Sequence, residues 1–234
     1  MSRNKTRDFW EAAWANERRS PRTSYAMHLI RDENVTGKDV LEIGCGDLYS
    51  SWCAAEAAKR YVGIDIASSP LGLVRRDYPK HLLVEADAIT LPFRDRSFDA
   101  VISIHTFTLL GRGIANALEE VRRVLRGDGS LMFNVTHTDI VAYYNPGSGL
   151  AGIRGEPDYG TFFPPTWGNC GVITYDDTGI RRQVEEAGFD VKYTDLFTDY
   201  EYSILGIPLY EQRPKGEGKT DDIKAEIFVS ALKR

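Results

Sequence analysis

The sequence predicts an α/β protein with a doubly wound, mostly parallel sheet. Three observations predict it. Short apolar runs recur at 39–43, 61–66, 82–87, 98–104 and 130–135, helical patterns lie between them, and 234 residues are enough for one large domain with a substantial core. Strands alternating with helices imply βαβ units, and hence a parallel sheet covered on both faces.

Residues 8–33 carry helical character, with Asp8 placed to cap a first turn and Phe9, Trp10, Ala13 and Trp14 at helical spacing. The two tryptophans, one turn apart, suit either core contacts or a lid. Gly37 ends this region and strand 1 begins at Asp39. Gly44-Cys45-Gly46-Asp47 then turns into an Ala-rich helix over 50–59. Strand 2 spans 61–66, a helix spans 70–78 before Pro79, strand 3 spans 82–87 and strand 4 spans 98–104. An amphipathic helix over 115–125 presents Leu118, Val121, Val124 and Leu125 on one face, Gly127-Asp128-Gly129 closes it, and strand 5 follows at 130–135. Residues 138–172 break the regularity: they are rich in Gly, Pro, Asn and aromatics, which suits a lid better than a disordered segment. A helix over 177–187, capped by Thr174 or Asp176 and stopped by Gly188, leads to strand 6 at 191–197 and a last strand at 223–232.

Composition narrows the function. A formal net charge of -5 and a pI of about 5.5 do not suit a protein that coats a phosphate backbone. Three cysteines, Cys45, Cys53 and Cys170, fit a reducing compartment rather than a disulfide framework. The four histidines and three cysteines lack metal-ligand spacing, so no metal is expected. The N-terminus has no apolar signal core and no run approaches a membrane span, so the expected location is cytoplasmic.

The chemistry concentrates on the first strand-to-helix turn, V-L-E-I-G-C-G-D-L. Gly44 and Gly46 let the backbone pass close to a ligand, and the following helix N-terminus offers unpaired N–H groups. By itself the pair also suits a plain tight turn. Asp65, at the end of strand 2, stands where a carboxylate accepts hydrogen bonds from ribose hydroxyls, so a nucleoside-containing ligand is implied. Three features favour S-adenosylmethionine (SAM) over NAD. Tyr49 stands where the dinucleotide fingerprint needs a small residue. Glu42 directly before the turn suits an ammonium better than a pyrophosphate, and Asp87 after Ala86 is placed to accept from an adenine amino group.

These segments resemble the class I SAM-dependent methyltransferases, in particular the group that modifies small molecules. The resemblance rests on VLEIGCGD (40–47), YVGIDIA (61–67), VEADAITLPFRDRSFDAVIS (84–103) and EVRRVLRGDGSLMF (120–133). TYDDTGIRRQVEEAGFDV and AEIFVSALKR resemble the family's last helix and its closing antiparallel strand. Leu48 departs from the pattern, where the family often has a third glycine. The resemblance implies a Rossmann-like seven-stranded, mostly parallel sheet with an antiparallel last strand. One domain would fill residues 1–234: an N-terminal helical extension or lid (1–37), a SAM-binding core (38–137), a lid insertion after strand 5 shaping the acceptor pocket (138–172), and a C-terminal helix and strands (173–234).

It further implies that Glu42, Gly44, Cys45 and Gly46 line the methionine end of SAM. Asp65 and Ile66 would take the ribose, Asp87 and Ala88 the adenine, and Ser103 and His105 would lie near the sulfonium. The product would be S-adenosylhomocysteine. His105 and His137, each just past the C-terminal end of a strand, are the candidate general bases. Phe162, Phe163 and Trp167 read either as an acceptor-pocket wall or as a satellite core.

The expected function is methyl transfer to an O or N atom of a small-molecule acceptor, with no nucleic acid or membrane partner, by a monomer or homodimer. An amino-group DNA methyltransferase would carry Asp/Asn-Pro-Pro-aromatic where this chain reads SIHTF (103–107), and no Pro-Cys nucleophile occurs. The alternatives are a catalytically silent SAM-binding regulatory or interaction protein, a protein-substrate methyltransferase, and an NAD-dependent oxidoreductase.

Overall fold

A computed structural model describes residues 3–16, 30, 32–48, 51–139, 151–152, 159–162, 172–198 and 224–234. In chain order these hold α1 (Arg3–Asn16), α2 (Asp32–Val35), β1 (Asp39–Ile43), α3 (Trp52–Ala57), β2 (Arg60–Asp65), α4 (Ser68–Asp77), β3 (Leu82–Glu85) and β4 (Phe98–Ser103). Two short 3-10 turns, Phe107–Leu109 and Gly111–Gly113, lead into α5 (Ile114–Val124) and β5 (Leu125–His137). Then come β6 (Ala151–Gly152), β7 (Tyr159–Phe162), β8 (Val172–Tyr175), α6 (Asp177–Glu186), β9 (Phe189–Thr198) and β10 (Lys224–Lys233).

The described sheet has ten strands: from β5 it branches, one arm continuing through β8, β7 and β6 and the other through β10 and β9, so that seven of the strands run in the order β3-β2-β1-β4-β5-β10-β9. The first five strands are mutually parallel, and β10 lies antiparallel between β5 and β9. This is the expected seven-stranded Rossmann-like arrangement. Alternation along the strands divides the core in two. Leu41, Ile43, Val62, Ile64 and Phe133 pack with α5 and α6, while Val40, Tyr61, Ile102, Met132 and Phe228 pack with α3 and α4. Every central strand is apolar on both sides, as a covered parallel sheet requires.

The amino ends of the strands are tied together by charge. Asp99 Oδ2 accepts the Asp39 N–H at 2.8 Å, and Arg126 bridges Asp99 to Asp39, reaching the latter at 3.0 Å. Arg60 adds a contact to Asp39 at 3.3 Å and lies 5.6 Å from the Phe98 ring centroid. Asp99 is thus structural.

Several boundaries differ from the sequence expectation. The first helix starts at Arg3, so Asp8 lies inside it and cannot cap it; RNKTR is polar but contains no helix breaker. The continuation over 17–29 falls outside the described residues. β5 begins at Leu125 rather than 130, because Leu125 already pairs with Phe98 and the Gly127–Gly129 segment is absorbed as an irregularity in that ladder. Within 138–172 the chain builds short strands: β6 pairs with β7, β7 with β8, and β8 extends the ladder from Thr136 and His137. Isolated two- to four-residue strands carry too little periodicity to be read from sequence. Of the residues expected to form an acceptor-pocket wall or satellite core, Phe163 and Trp167 lie outside the described residues.

Asp176 supplies the cap of α6. Its Oδ1 accepts from Thr178 N at 3.0 Å and Gly179 N at 2.7 Å. Asp176→Ala should therefore cost about 1 kcal/mol of stability in urea unfolding. Loss of less than a few tenths would mean the cap is replaceable.

Candidate cofactor and acceptor site

The carboxyl ends of β1, β2, β3, β4 and β5 converge on one rim, the position where open α/β sheets bind ligands. The turn after β1 is built from left-handed residues: Gly44 (φ 73), Gly46 (φ 50) and Leu48 (φ 63). Gly44 and Cys45 both donate to the Ile64 carbonyl, at 2.8 and 2.9 Å, which pins the turn to the end of β2. No side chain fits at Gly44, where a Cβ would lie 1.9 Å from Thr106 Oγ1. Leu48 stands in the left-handed conformation that the family's third glycine adopts freely. Its side chain is 1% exposed in the α3–α4 core. Burial of a leucine, ~1.5–3 kcal/mol, offsets a left-handed backbone cost of ~1–2 kcal/mol. The loop therefore keeps a glycine-type path without the glycine.

Asp65 closes the turn. Its Oδ2 accepts from Gly46 N at 3.0 Å and its Oδ1 from Ala67 N at 2.9 Å. Burial raises its pKa to about 6 against the pull of the Ala67, Gly46 and Ile66 N–H groups. Each carboxylate oxygen can accept twice, so capacity remains for the vicinal hydroxyls of a ribose. Ile66 follows, half-buried.

Glu42 and Cys45 sit beneath the turn rather than on its open side. Glu42 is 2% exposed. It accepts from the Tyr61 hydroxyl, and burial raises its pKa to about 7 against the Ser51 and Tyr61 hydroxyls. The Cys45 sulfur lies under β2, where a Cβ on Gly63 would meet it at 2.8 Å. Burial pushes the thiol pKa up, so it is an inert packing group. Both side chains are buried and support the loop.

Asp87 and Ala88 end the β3 side of the rim, 9% and 7% exposed. Asp87 Oδ1 accepts from Ile89 N at 3.2 Å. The segment after them is fastened by Arg123 of α5, which donates to the carbonyls of Phe93 (2.7 Å) and Leu91 (3.0 Å) and pairs with Glu120 at 2.7 Å. Glu120 in turn accepts from Leu91 N at 2.6 Å. Ser103 donates to the Ile43 carbonyl at 3.0 Å and is fully buried, so it joins β4 to β1 behind the rim.

The two histidines differ. His105 has a left-handed backbone (φ 57) and a side chain 31% exposed. Its N–H donates to Asn134 Oδ1 at 2.8 Å, Asn134 Nδ2 lies 3.0 Å from its Nδ1, and the Glu226 carboxylate lies 2.8 Å from the same nitrogen. His137 is 3% exposed. Its Nδ1 accepts from Asp139 N at 3.0 Å, which makes Nε2 the protonated nitrogen, and Nε2 meets Asp177 Oδ1 at 3.1 Å. With both nitrogens engaged, His137 joins the end of β5 to the start of α6, a packing role rather than that of a proton acceptor.

The sequence did not point to Asn134 or Glu226. Both lie on one face: Glu226 stands opposite Thr136, and Phe228 opposite Asn134. A polar residue in an apolar strand was the available signal.

Helix α1 reaches this rim. The Trp14 ring abuts the glycine turn, where a Cβ on Gly46 would come within 2.7 Å of Cζ2. Glu11 accepts from Ser68 N (2.6 Å), Ser68 Oγ (2.9 Å) and Ser69 N (3.1 Å). It thereby caps α4, which has no side-chain cap of its own. Hydrogen bonds from Ser69 and Ser68 lower its pKa to about 2.

Residues 41–133 match the model of the methyltransferase domain family. A protein of Mycobacterium tuberculosis described as a probable S-adenosylmethionine-dependent methyltransferase is 35% identical over 97 residues, 42% of this chain and 35% of that protein. The chain thus spans about a third of the length of the curated relatives it first matches. Among solved structures, the cyclase SpnF superposes with a TM-score of 0.70 at 15% identity, covering 100% of this chain and 97% of that one. A Burkholderia thailandensis 1,6-didemethyltoxoflavin-N1-methyltransferase, solved with its substrate and S-adenosylhomocysteine, superposes with a TM-score of 0.62 at 14% identity, covering 99% and 84%.

Two outcomes follow from the loop and the latch. Leu48→Gly trades relieved strain for lost burial and should destabilise by roughly 1–3 kcal/mol in urea unfolding; a gain in stability would mean the strain dominates. The lowered Glu11 pKa makes its contribution full above pH 4.5 and lost as pH falls towards 2. Glu11→Gln at neutral pH should accordingly raise hydrogen exchange in α1 and the first turn of α4, and unchanged protection would remove the latch. The glycine turn, Asp65 and strands β2 to β4 all lie within residues 41–133, the segment over which this chain is similar to the methyltransferase domain family.

Proposed function

We propose that the chain binds SAM at the β1–β2 rim and transfers its methyl group to an O or N atom of a small-molecule acceptor. The observation that carries this is the Asp65 carboxylate, held at the glycine turn by Gly46 N at 3.0 Å with capacity left for a ribose. Gly44 and Gly46 let Thr106 and Trp14 pack directly on the turn, where a Cβ would collide, Glu42 and Tyr61 hold the turn from below, and Asp87 is assigned to the adenine side. SAM supplies a methyl on a sulfonium, whose departure needs no proton. The protein's part is then orientation and exclusion of water, with α1 and the 138–172 insertion as covers. We assign the proton-accepting role to His105, just past the carboxyl end of β4. The acidic chain favours a small molecule over nucleic acid. No helix among the described residues is long and apolar enough to cross a membrane.

A second reading is a SAM-binding fold that does other work. It is favoured by the name of one fold neighbour, a cyclase. Product formation separates the two.

Calorimetry with SAM, S-adenosylhomocysteine and NAD tests the first step: the two adenosyl ligands should bind and NAD should not. Asp65→Ala removes charge-assisted acceptors and should weaken S-adenosylhomocysteine at least about tenfold. Binding of NAD, or unchanged affinity in the variant, would overturn the site.

A further inference from the structure

The cluster at the end of β4 is more than packing. Glu226 is a carboxylate at 1% exposure on β10. Burying a carboxylate is costly unless it is paired. The imidazole of His105 lies 2.8 Å from its Oε1. Asn134, fully buried on the neighbouring strand, grips His105 twice, at the backbone N–H and beside the ring. These contacts hold a non-glycine residue in a left-handed conformation (φ 57), which persists only where the surroundings impose it. The next residue, Thr106, packs on the glycine turn, with Oγ1 3.5 Å from the Gly44 carbonyl. The cluster is thereby rigidly tied to the loop expected to hold the methyl donor.

We propose that Glu226 and Asn134 are positioning residues that set His105 as the proton acceptor for a hydroxyl-bearing acceptor molecule. This rests on the methyl-transfer reading above. Two partners compete for Nδ1. The Asn134 amide would donate to a bare Nδ1, whereas the Glu226 carboxylate requires a proton there. The charge-assisted bond is about twice as strong as the neutral one, so Nδ1 carries the proton and Nε2 carries the lone pair. Nε2 is then the nitrogen that exchanges a proton with the site.

The need for such a group selects the acceptor. An amine presents its own lone pair once unprotonated, and a thiol ionises near neutral pH. A hydroxyl must lose its proton as it attacks. The step balances: Nε2 takes the hydroxyl proton, the oxygen pair forms the O–CH3 bond, and the pair of the breaking S–CH3 bond stays on sulfur. Glu226 then faces an imidazolium, which its charge stabilises, until the proton leaves to water.

The test is nitrogen-15 NMR on the histidine-labelled full chain with S-adenosylhomocysteine, with His105 assigned by His105→Asn. The expected native signature is a protonated Nδ1 and a bare Nε2. In Glu226→Leu, which replaces a buried charge by an apolar group of similar volume, Asn134 should win and the proton should move to Nε2. Glu226→Asp should restore part of the native signature, and Glu226→Gln serves if Leu fails to fold. A native Nε2–H tautomer, or no change in the Glu226 variants, overturns the assignment. Transfer from labelled SAM to a panel of phenols, alcohols, amines and thiols tests the acceptor class. Transfer to hydroxyls, with kcat falling at least about a hundredfold in Glu226→Leu while S-adenosylhomocysteine affinity holds, supports it. Transfer to amines or thiols only, or an unchanged kcat, overturns it. Absent adenosyl binding in the native chain would sink the methyl-transfer reading while leaving the tautomer result standing.

Discussion

The hydrogen bond from Gly46 N to the Asp65 carboxylate is the constraint on which the rest of the site depends. It joins the turn after β1 to the end of β2. Everything nearby serves that junction. Gly44 and Cys45 donate to Ile64, Tyr61 and Glu42 fill the space beneath, and α1 closes over it through Trp14 and Glu11. Among the described residues the carboxylate is held by backbone N–H groups alone, so the proposed ligand would add to these partners rather than displace a salt bridge.

The acceptor side obeys a different logic. Here the strands end in polar residues buried on one face, Asn134 and Glu226, facing a half-exposed imidazole. A buried polar cluster either satisfies itself or destabilises the fold. This one satisfies itself through His105, at the cost of a strained backbone. The two histidines show how little residue type alone decides: both end a strand, yet His137 is consumed by Asp139 and Asp177.

Strand periodicity, the glycine turn and Asp65 made the fold and the donor half of the site legible in the sequence, because local patterns encode them. The burial of Glu42 and Cys45 was less legible, because sequence shows position along a strand, not which side of a turn a side chain occupies. Glu226 was invisible for another reason. It reaches His105 across 121 positions, through a strand pairing that no local pattern records. The Glu11 cap is equally non-local, 57 residues from Ser68. Leu48 departs from the family pattern in sequence, and burial of its side chain offsets the cost of its left-handed backbone.

The ion pairs at the amino ends of the strands have a consequence for how the molecule responds to its surroundings. Asp39, Asp99, Arg60 and Arg126 are partly exposed, so dissolved ions weaken them. The carboxylates at the opposite rim, Asp65 and Glu42, are buried and respond to protons instead. The two poles of the sheet therefore answer to different solution variables. Ionic strength acts on the foundation and acidity on the ligand-binding rim, which lets the two be tuned independently.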